Sequence, residues 1–431
     1  MAIVLLNGTL NRVMIVELGV PSAVVALMIS LPLLFAPFRA LIGFRSDNHR
    51  TALGWRRAPF IWFGSLLQFG GLSIMPFAII LLSGDSIGPA WIGVAGAALA
   101  FLLVGVGLHT TQTAGLALAT DIASESNRPR VVAFLYVMLL IGTVVSSLAF
   151  GVLLSSFSQI RLIQVVQGAA ALTIVLNVIA LWKQEARRSL SEIDDEETPD
   201  FFTTWNAYAE APGARRTLIA IGFGTAAFSM QDILLEPYGG EVLGFTVGET
   251  TALTGMMAAG TLAGFAIAAN QLTRGVDTYR IAALGVLVGL IAFPAVLLAG
   301  ATDSSLLFRI GTILIGFGTG LFSVGSLTAA MQIASNGANG MALGAWGAVQ
   351  ATAAGLAIAF SGAIRDTVGT LAHSGKLGVA FQDAASGYNV VYLIELLLLF
   401  ATLVAIGPLV GRARLARAHV TTRFGIAEFP G

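Results

Sequence analysis

Two polar side chains interrupt an apolar stretch of this sequence. In LVGVGLHTTQTAGLALATD, residues 103–121, His109 and Gln112 stand three apart with Gly105 one turn earlier, so a helix puts all three on one face. A neutral imidazole at membrane depth has two uses: a hydrogen bond to a neighbouring helix, the simpler reading, or an axial bond to a metal centre. A second polar group is NGTLNRVMIVE, which carries Asn7, Asn11, Arg12 and Glu17. A third is QDILLE, where Gln231 precedes Asp232 and Glu236, the two acids at i and i+4. Gln350 and Glu395 stand alone in later apolar stretches. Charges at such depth are costly unless paired, and they usually face a bundle interior. Asn7, Asn11, Gln231 and Gln350 read first as hydrogen-bonders between helices. Arg12, Glu17, Asp232 and Glu236 read as intramembrane ion-pair residues, and Arg12 is expected to pair with Asp232 or Glu236.

Other chemistry is excluded. The chain has no cysteine, hence no disulfide, thiolate metal site or cysteine nucleophile. No Ser/His/Asp arrangement, metal-ligand cluster or basic nucleic-acid patch is visible, so neither an enzyme nor a nucleic-acid binder nor a metal site of its own is expected. GFGTG at 316–320 lies inside an apolar stretch with no strand before it, which rules out a dinucleotide loop. GTLAG at 260–264 and GVLVG at 285–289 read as small-residue packing faces.

The elements that must position these residues follow from composition. Hydrophobic residues make up 56% of the 431 and charged residues 11%, against about a quarter charged in soluble domains. Apolar runs long enough to cross the ~30 Å hydrocarbon layer recur from end to end. The expectation is an all-α integral membrane protein with about twelve spans, at 2–19, 21–43, 59–82, 90–120, 131–156, 160–182, 217–236, 249–271, 280–300, 307–334, 341–365 and 389–410. The first span is short for a crossing and reads as truncated at its N-terminus.

Lys and Arg divide unevenly between the two sets of loops: 17 lie on one side and 4 on the other. The bias puts both termini and the long middle loop in the cytoplasm. The division expected is a six-helix bundle at 1–182, a cytoplasmic linker at 183–216, a second bundle at 217–410 and a cytoplasmic tail at 411–431. Within the linker, SEIDDEETPD is a solvated acidic run. After it, Pro199 to Ala211 reads as an amphipathic surface helix with Phe201, Trp205 and Tyr208 toward lipid.

The halves echo each other. Shifted by 211, LLVGVGLHTTQTAGLALA faces ILIGFGTGLFSVGSLTAA, with Gly105 on Gly316 and Gly107 on Gly318. Two parallel six-helix repeats are the architecture of the major facilitator superfamily. Between the second and third spans, Gly43, Asp47, Gly54, Arg56 and Arg57 resemble that superfamily's cytoplasmic loop motif. Asn48 stands where a basic residue is usual, and about four extra residues precede Gly54.

A narrower resemblance covers nearly the whole chain. LLNGTLNRVMIVELGVP, LPLLFAPFRALIGFRSD, ALGWRRAPFIWFG, GLHTTQTAGLALATD, RLIQVVQG, FSMQDILLEPYGGE and ALGAWGAVQATAAG together resemble the bacteriochlorophyll delivery family, the PucC and LhaA proteins of purple photosynthetic bacteria. The resemblance implies a major facilitator fold in the photosynthetic membrane. It implies a role in assembling light-harvesting complexes, with bacteriochlorophyll as bound cargo. The partners would be antenna polypeptides or a reaction-centre complex. On that reading His109 is the candidate ligand to the pigment's magnesium, with Gly105 clearing space for the macrocycle and Gln112 orienting it. Asn11, Gln231 and Gln350 would complete a pigment or cavity site. The alternative is a proton-coupled secondary transporter of a small solute, with Arg12, Glu17, Asp232 and Glu236 as the coupling residues.

Overall fold

The computed structural model describes residues 1–34, 55, 57–84, 88–123, 128–182, 184, 209–333, 339–378 and 382–410. These residues form twelve helices and no strand. Helix α1 covers residues 2–17 and is mostly wound with i→i+5 hydrogen bonds, over Val4–Leu10 and Val13–Glu17. The others are α2 (Ser22–Leu34), α3 (Ala58–Leu82), α4 (Ala90–Ile122), α5 (Arg128–Leu153), α6 (Gln159–Leu181), α7 (Ala214–Ser229, resuming at Leu235–Glu241), α8 (Val247–Thr273), α9 (Thr278–Ala301), α10 (Ser305–Ile333), α11 (Asn339–His373) and α12 (Ser386–Ile406). Ten of the twelve are long and apolar enough to cross a membrane. This is a multi-pass membrane protein.

Local sequence explains where helices begin. Ser158 caps α6 by accepting from the Arg161 backbone N–H. Thr246 and Glu249 form a capping box at α8, and the Asp277 side chain caps α9. Each satisfies an N–H that the first helical turn leaves open. At the other end of α8, Gly275 takes φ +78° and closes the helix.

Small residues set the spacing within each half. A methyl group added to Gly264 of α8 would sit 2.5 Å from the Phe317 carbonyl oxygen of α10. One on Gly285 of α9 would sit 2.5 Å from the Gly318 carbonyl oxygen. The two glycine stretches read as packing faces therefore are packing faces, and 316–320 lies inside α10.

In the first half α3 packs on α4 and α6; in the second, α10 packs on α8 and α9, and α7 on α11 and α12. The halves meet through two crossed pairs, α2 with α11 and α5 with α8. Hydrogen bonds between the halves gather toward one end, where α1 leads into α2 and α7 into α8. The Thr9 and Thr251 hydroxyls bond at 3.0 Å, and the Gly255 N–H donates to Ser147 Oγ at 2.9 Å. We call this the Gly19 end.

Candidate functional site

Helix α7 does not run straight through. Met230–Ile233 tightens into a 3-10 turn, Leu234 joins, and the helix resumes at Leu235. Such interruptions mark strain or a functional hinge. This one faces a cavity of about 100 Å³. From α7 the wall takes Thr225, Phe228, Ser229, Gln231 and Asp232; from α8, Met257 and Thr261; from α10, Thr319, Phe322 and Ser323; from α11, Gln350. Every contributor lies near the middle of its helix, the depth at which transporter folds bind.

Gln231 organises the polar side. Its Nε2 donates to Asp232 Oδ1 at 2.6 Å and to the Phe228 carbonyl at 3.2 Å. Those two bonds fix the amide, so Oε1 is left as an acceptor, and it has no donor. Phe228 and Phe322, with ring centroids 5.8 Å apart, give the cavity an apolar side.

Beyond Asp232 the interior stays acidic. Glu236 is buried, and Thr254 Oγ1 donates to its Oε1 at 2.7 Å. Glu395 of α12 is fully buried, and neither carboxyl oxygen has a hydrogen bond of standard geometry. Asp232 is close enough for its charge to act on Glu395, and the Gln231 backbone lies nearby. Toward the Gly19 end the Tyr238 ring stacks on Phe308 at 5.5 Å and meets Tyr388 and Tyr392 edge-on at 5.4 and 5.6 Å.

The expected Arg12 pairing is not what forms. Arg12 pairs with Glu17 on its own helix and donates to the Phe245 carbonyl at 3.1 Å. Winding is the reason. The wider i→i+5 winding over Val13–Glu17 brings Glu17 back toward Arg12, whereas the 3.6-residue period of an α-helix would turn it away. Among the described residues neither Asp232 nor Glu236 joins an ion pair: Asp232 takes Gln231 and Glu236 takes Thr254. The two acids also part company, since Asp232 lines the cavity and Glu236 does not. Asn11 acts as a helix joiner, with Nδ2 donating to the Ile233 carbonyl at 2.9 Å and to the Asn7 carbonyl at 3.0 Å.

The residues around His109 stand elsewhere. His109, Gln112 and Gly105 lie on α4 in the first half, and none lines the cavity. The space over Gly105 is filled by the ring of Pro32 from α2, so Gly105 admits a neighbouring helix and leaves no room there for a macrocycle. His109 is half-buried, and its carbonyl accepts from Thr113 Oγ1 at 2.8 Å. Of the loop motif, Gly43, Asp47, Gly54 and Arg56 lie outside the described residues, as do Phe201, Trp205 and Tyr208 of the surface helix. Arg57 is buried at the start of α3, where Nε donates to Asp121 Oδ2 at the end of α4, 3.2 Å away.

The family described as PUCC protein matches residues 9–414, which takes in the cavity and every helix that walls it. The chain belongs to the PUCC protein family. A relative from Rhodobacter capsulatus, described as an uncharacterized protein in the puhA-bchM intergenic region, is 55% identical over all of this chain and 91% of its own length. Protein PucC of Rhodovulum sulfidophilum is 55% identical over 85% of this chain and 82% of its own. The fold is that of major facilitator transporters. A bacterial homolog of the human lysosomal transporter Spinster, solved inward-facing and unoccupied, superposes with TM-score 0.69 over 98% of both chains at 16% identity.

Within this PUCC-family chain, Gln231, Asp232 and Gln350 line one cavity, so Asp232, expected as an ion-pair residue, stands with the two glutamines instead. Glu395 is the main omission, and its signal was a lone carboxylate in an otherwise apolar helix. A second omission is the cluster at the Gly19 end. There Arg365 pairs with Glu241 and Asp366 and lies 4.7 Å over the Tyr388 ring. Its signal was four polar residues near the ends of three spans.

Proposed function

We propose that this chain is a membrane assembly factor for photosynthetic light-harvesting complexes that binds bacteriochlorophyll or hands it to antenna polypeptides. The observation that carries the reading is family membership along nearly the whole chain, including LLNGTLNRVMIVELG and MQDILLEPYGGE. The proposal includes a bacterial photosynthetic inner membrane with both termini in the cytoplasm, on the 17-to-4 loop bias. No covalent chemistry is asked of the protein.

Geometry shapes where pigment contact would occur. Sites for drug-sized ligands run from ~300 to 1,000 Å³, and the central cavity at about 100 Å³ is well below that. A tetrapyrrole with its long tail therefore engages the outer, lipid-facing side of the helices. Half-buried His109 is the imidazole we assign to the magnesium. The test is purification from a pigment-making host, with the absorption spectrum recorded and antenna assembly assayed in a deletion strain. Co-purified bacteriochlorophyll and restored antenna absorbance support the reading. Pigment-free protein that leaves antenna levels unchanged defeats it.

One observation favours a second reading, proton-coupled transport of a small solute. The mid-depth polar cavity with Gln231, Asp232 and Gln350 suits a small polar molecule better than a pigment. Solute-dependent proton uptake into vesicles holding the pure protein would select it.

A further inference from the structure

We infer that the second half of the chain holds a site for a monovalent cation, a proton or a sodium ion, built by Asp232, Gln231 and Glu395. The inference goes beyond pigment handling and does not rest on it.

The unmet groups here share one need. Gln231 is 1% exposed; its Nε2 donates to Asp232, the Phe228 carbonyl and Met257 Sδ, which orients the amide, and its Oε1 has no donor. Glu395 is 0% exposed and neither oxygen has a hydrogen bond of standard geometry, the Gln231 backbone being the polar group nearby. Glu236 Oε2, further along α7, is also unmet. Buried acceptors left in that state are costly, and uncompensated negative charge among them would be far more so. The Tyr238 and Tyr392 hydroxyls also lack acceptors and can donate locally. Two hydroxyls do not neutralise carboxylates.

Among the described residues the surrounding helices bring no spare counter-charge to this depth: on α1, buried Arg12 is engaged with Glu17 and the Phe245 carbonyl. Arg215 and Arg216 open α7, Asp277 and Arg280 stand at the start of α9, Arg309 lies in the first turn of α10, and Arg274 follows α8. On α11 Arg365 is engaged with Glu241 and Asp366 near the Gly19 end. Helix α12 has no basic residue. Helix α12 packs on the 3-10 turn that carries Gln231 and Asp232, and the groups facing Glu395 are Asp232 from that turn and Tyr392 from its own helix, with Tyr238, Tyr388 and Glu236 around Tyr392. Gln231 is the independent pointer: it is neutral, it lines the cavity, and its fixed acceptor waits for a positive partner.

Charge and ligand number select a single-charged ion. A divalent ion such as calcium takes six to eight oxygens at roughly 2.3–2.6 Å. Among the described residues no three acidic or histidine side chains are grouped to hold a metal. A proton on a carboxyl group, or a sodium ion taken up by Asp232 and Gln231 at the cavity wall, meets the need with what is present. The cavity provides the approach, since Gln231 and Asp232 both line it.

The test uses the full chain in lipid nanodiscs. Infrared difference spectra across pH read the carboxylic-acid C=O band, and thermal unfolding in sodium chloride against choline chloride reads sodium. A band that grows as pH falls and is lost in Glu395→Gln or Asp232→Asn supports a proton. A midpoint raised by sodium but not choline, and not raised in either variant, supports sodium. Should Glu395→Gln fail to fold, Asp232→Asn answers alone. A C=O band unchanged by both substitutions, with identical midpoints in the two salts, overturns the site. Pigment content of the same preparations reports the assembly reading separately.

Discussion

The Asn11 side chain donates to the carbonyl of Ile233, 2.9 Å away, and so ties the first helix to the 3-10 turn that interrupts α7. Asn11 is fully buried. Asn11→Ala leaves the Ile233 carbonyl unsatisfied in a dry interior. The expected loss is about 1–3 kcal/mol. Thermal unfolding in detergent should show a lower midpoint, and Asn11→Gln should not restore it, because the longer side chain misplaces the amide. A midpoint within error of the parent would refute the tie.

Arg12 and Glu17 should couple, and Arg12 and Asp232 should not. Arg12→Leu leaves a carboxylate without its cation and frees the Phe245 carbonyl as well. Glu17 is the more exposed partner, its side chain 37% accessible against 6% for Arg12, so Glu17→Leu should cost less. Double-mutant cycles on unfolding free energy should give about 0.5–3 kcal/mol for the first pair and near zero for the second. The reverse pattern would mean that Arg12 reaches across to α7 after all.

Much of this was legible in the sequence, and the failures have physical causes. The spans were legible because a helix in lipid needs about twenty apolar residues, and little else satisfies the backbone there. Gln231, Asp232 and Gln350 stood out as polar residues in apolar runs, since such residues at membrane depth turn inward, but that they share one cavity was not legible, because α11 is far from α7 along the chain. The winding of α1 was not legible, since i→i+5 turns have no compositional mark, and the Arg12–Glu17 pair was lost with it. Gly105 showed that something approaches closely, but not that the visitor is Pro32. The threonines of the cavity wall were hidden because such residues commonly bond their own helix, as Thr261 does to the Met257 carbonyl and Thr319 to the Ile315 carbonyl.

Gly105 and His109 should separate in mutants. Gly105→Ala drives a methyl group into the Pro32 ring, so it should destabilise by about 1–3 kcal/mol. Its effect on co-purified pigment should be no greater than its effect on protein yield. His109→Leu keeps the position apolar and should remove pigment and antenna assembly at normal yield. If His109→Leu retains pigment, the magnesium ligand is not His109.

Asp366 should hold the Gly19 end closed. Its Oδ2 accepts the Ala23 backbone N–H at 2.8 Å, one of the open donors of the first turn of α2. Its Oδ1 accepts from Arg365 at 3.0 Å, and Arg365 pairs in turn with Glu241 of α7, to which the Tyr388 hydroxyl also donates at 2.8 Å. One residue thus links α11 to α2 directly and to α7 through its neighbour. Close packing reinforces the link, since a methyl group on Gly362 would sit 2.5 Å from the Ser22 carbonyl oxygen. The chain has no native cysteine, so a single Ser22→Cys is a clean probe, and Ser22 is fully buried. Maleimide should label that cysteine slowly in the parent and several-fold faster with Asp366→Ala. Glu241→Gln should raise the rate less, because the Asp366 contact with Ala23 survives. A labelling rate unchanged by Asp366→Ala would show that Gly362 packing alone keeps α2 and α11 together.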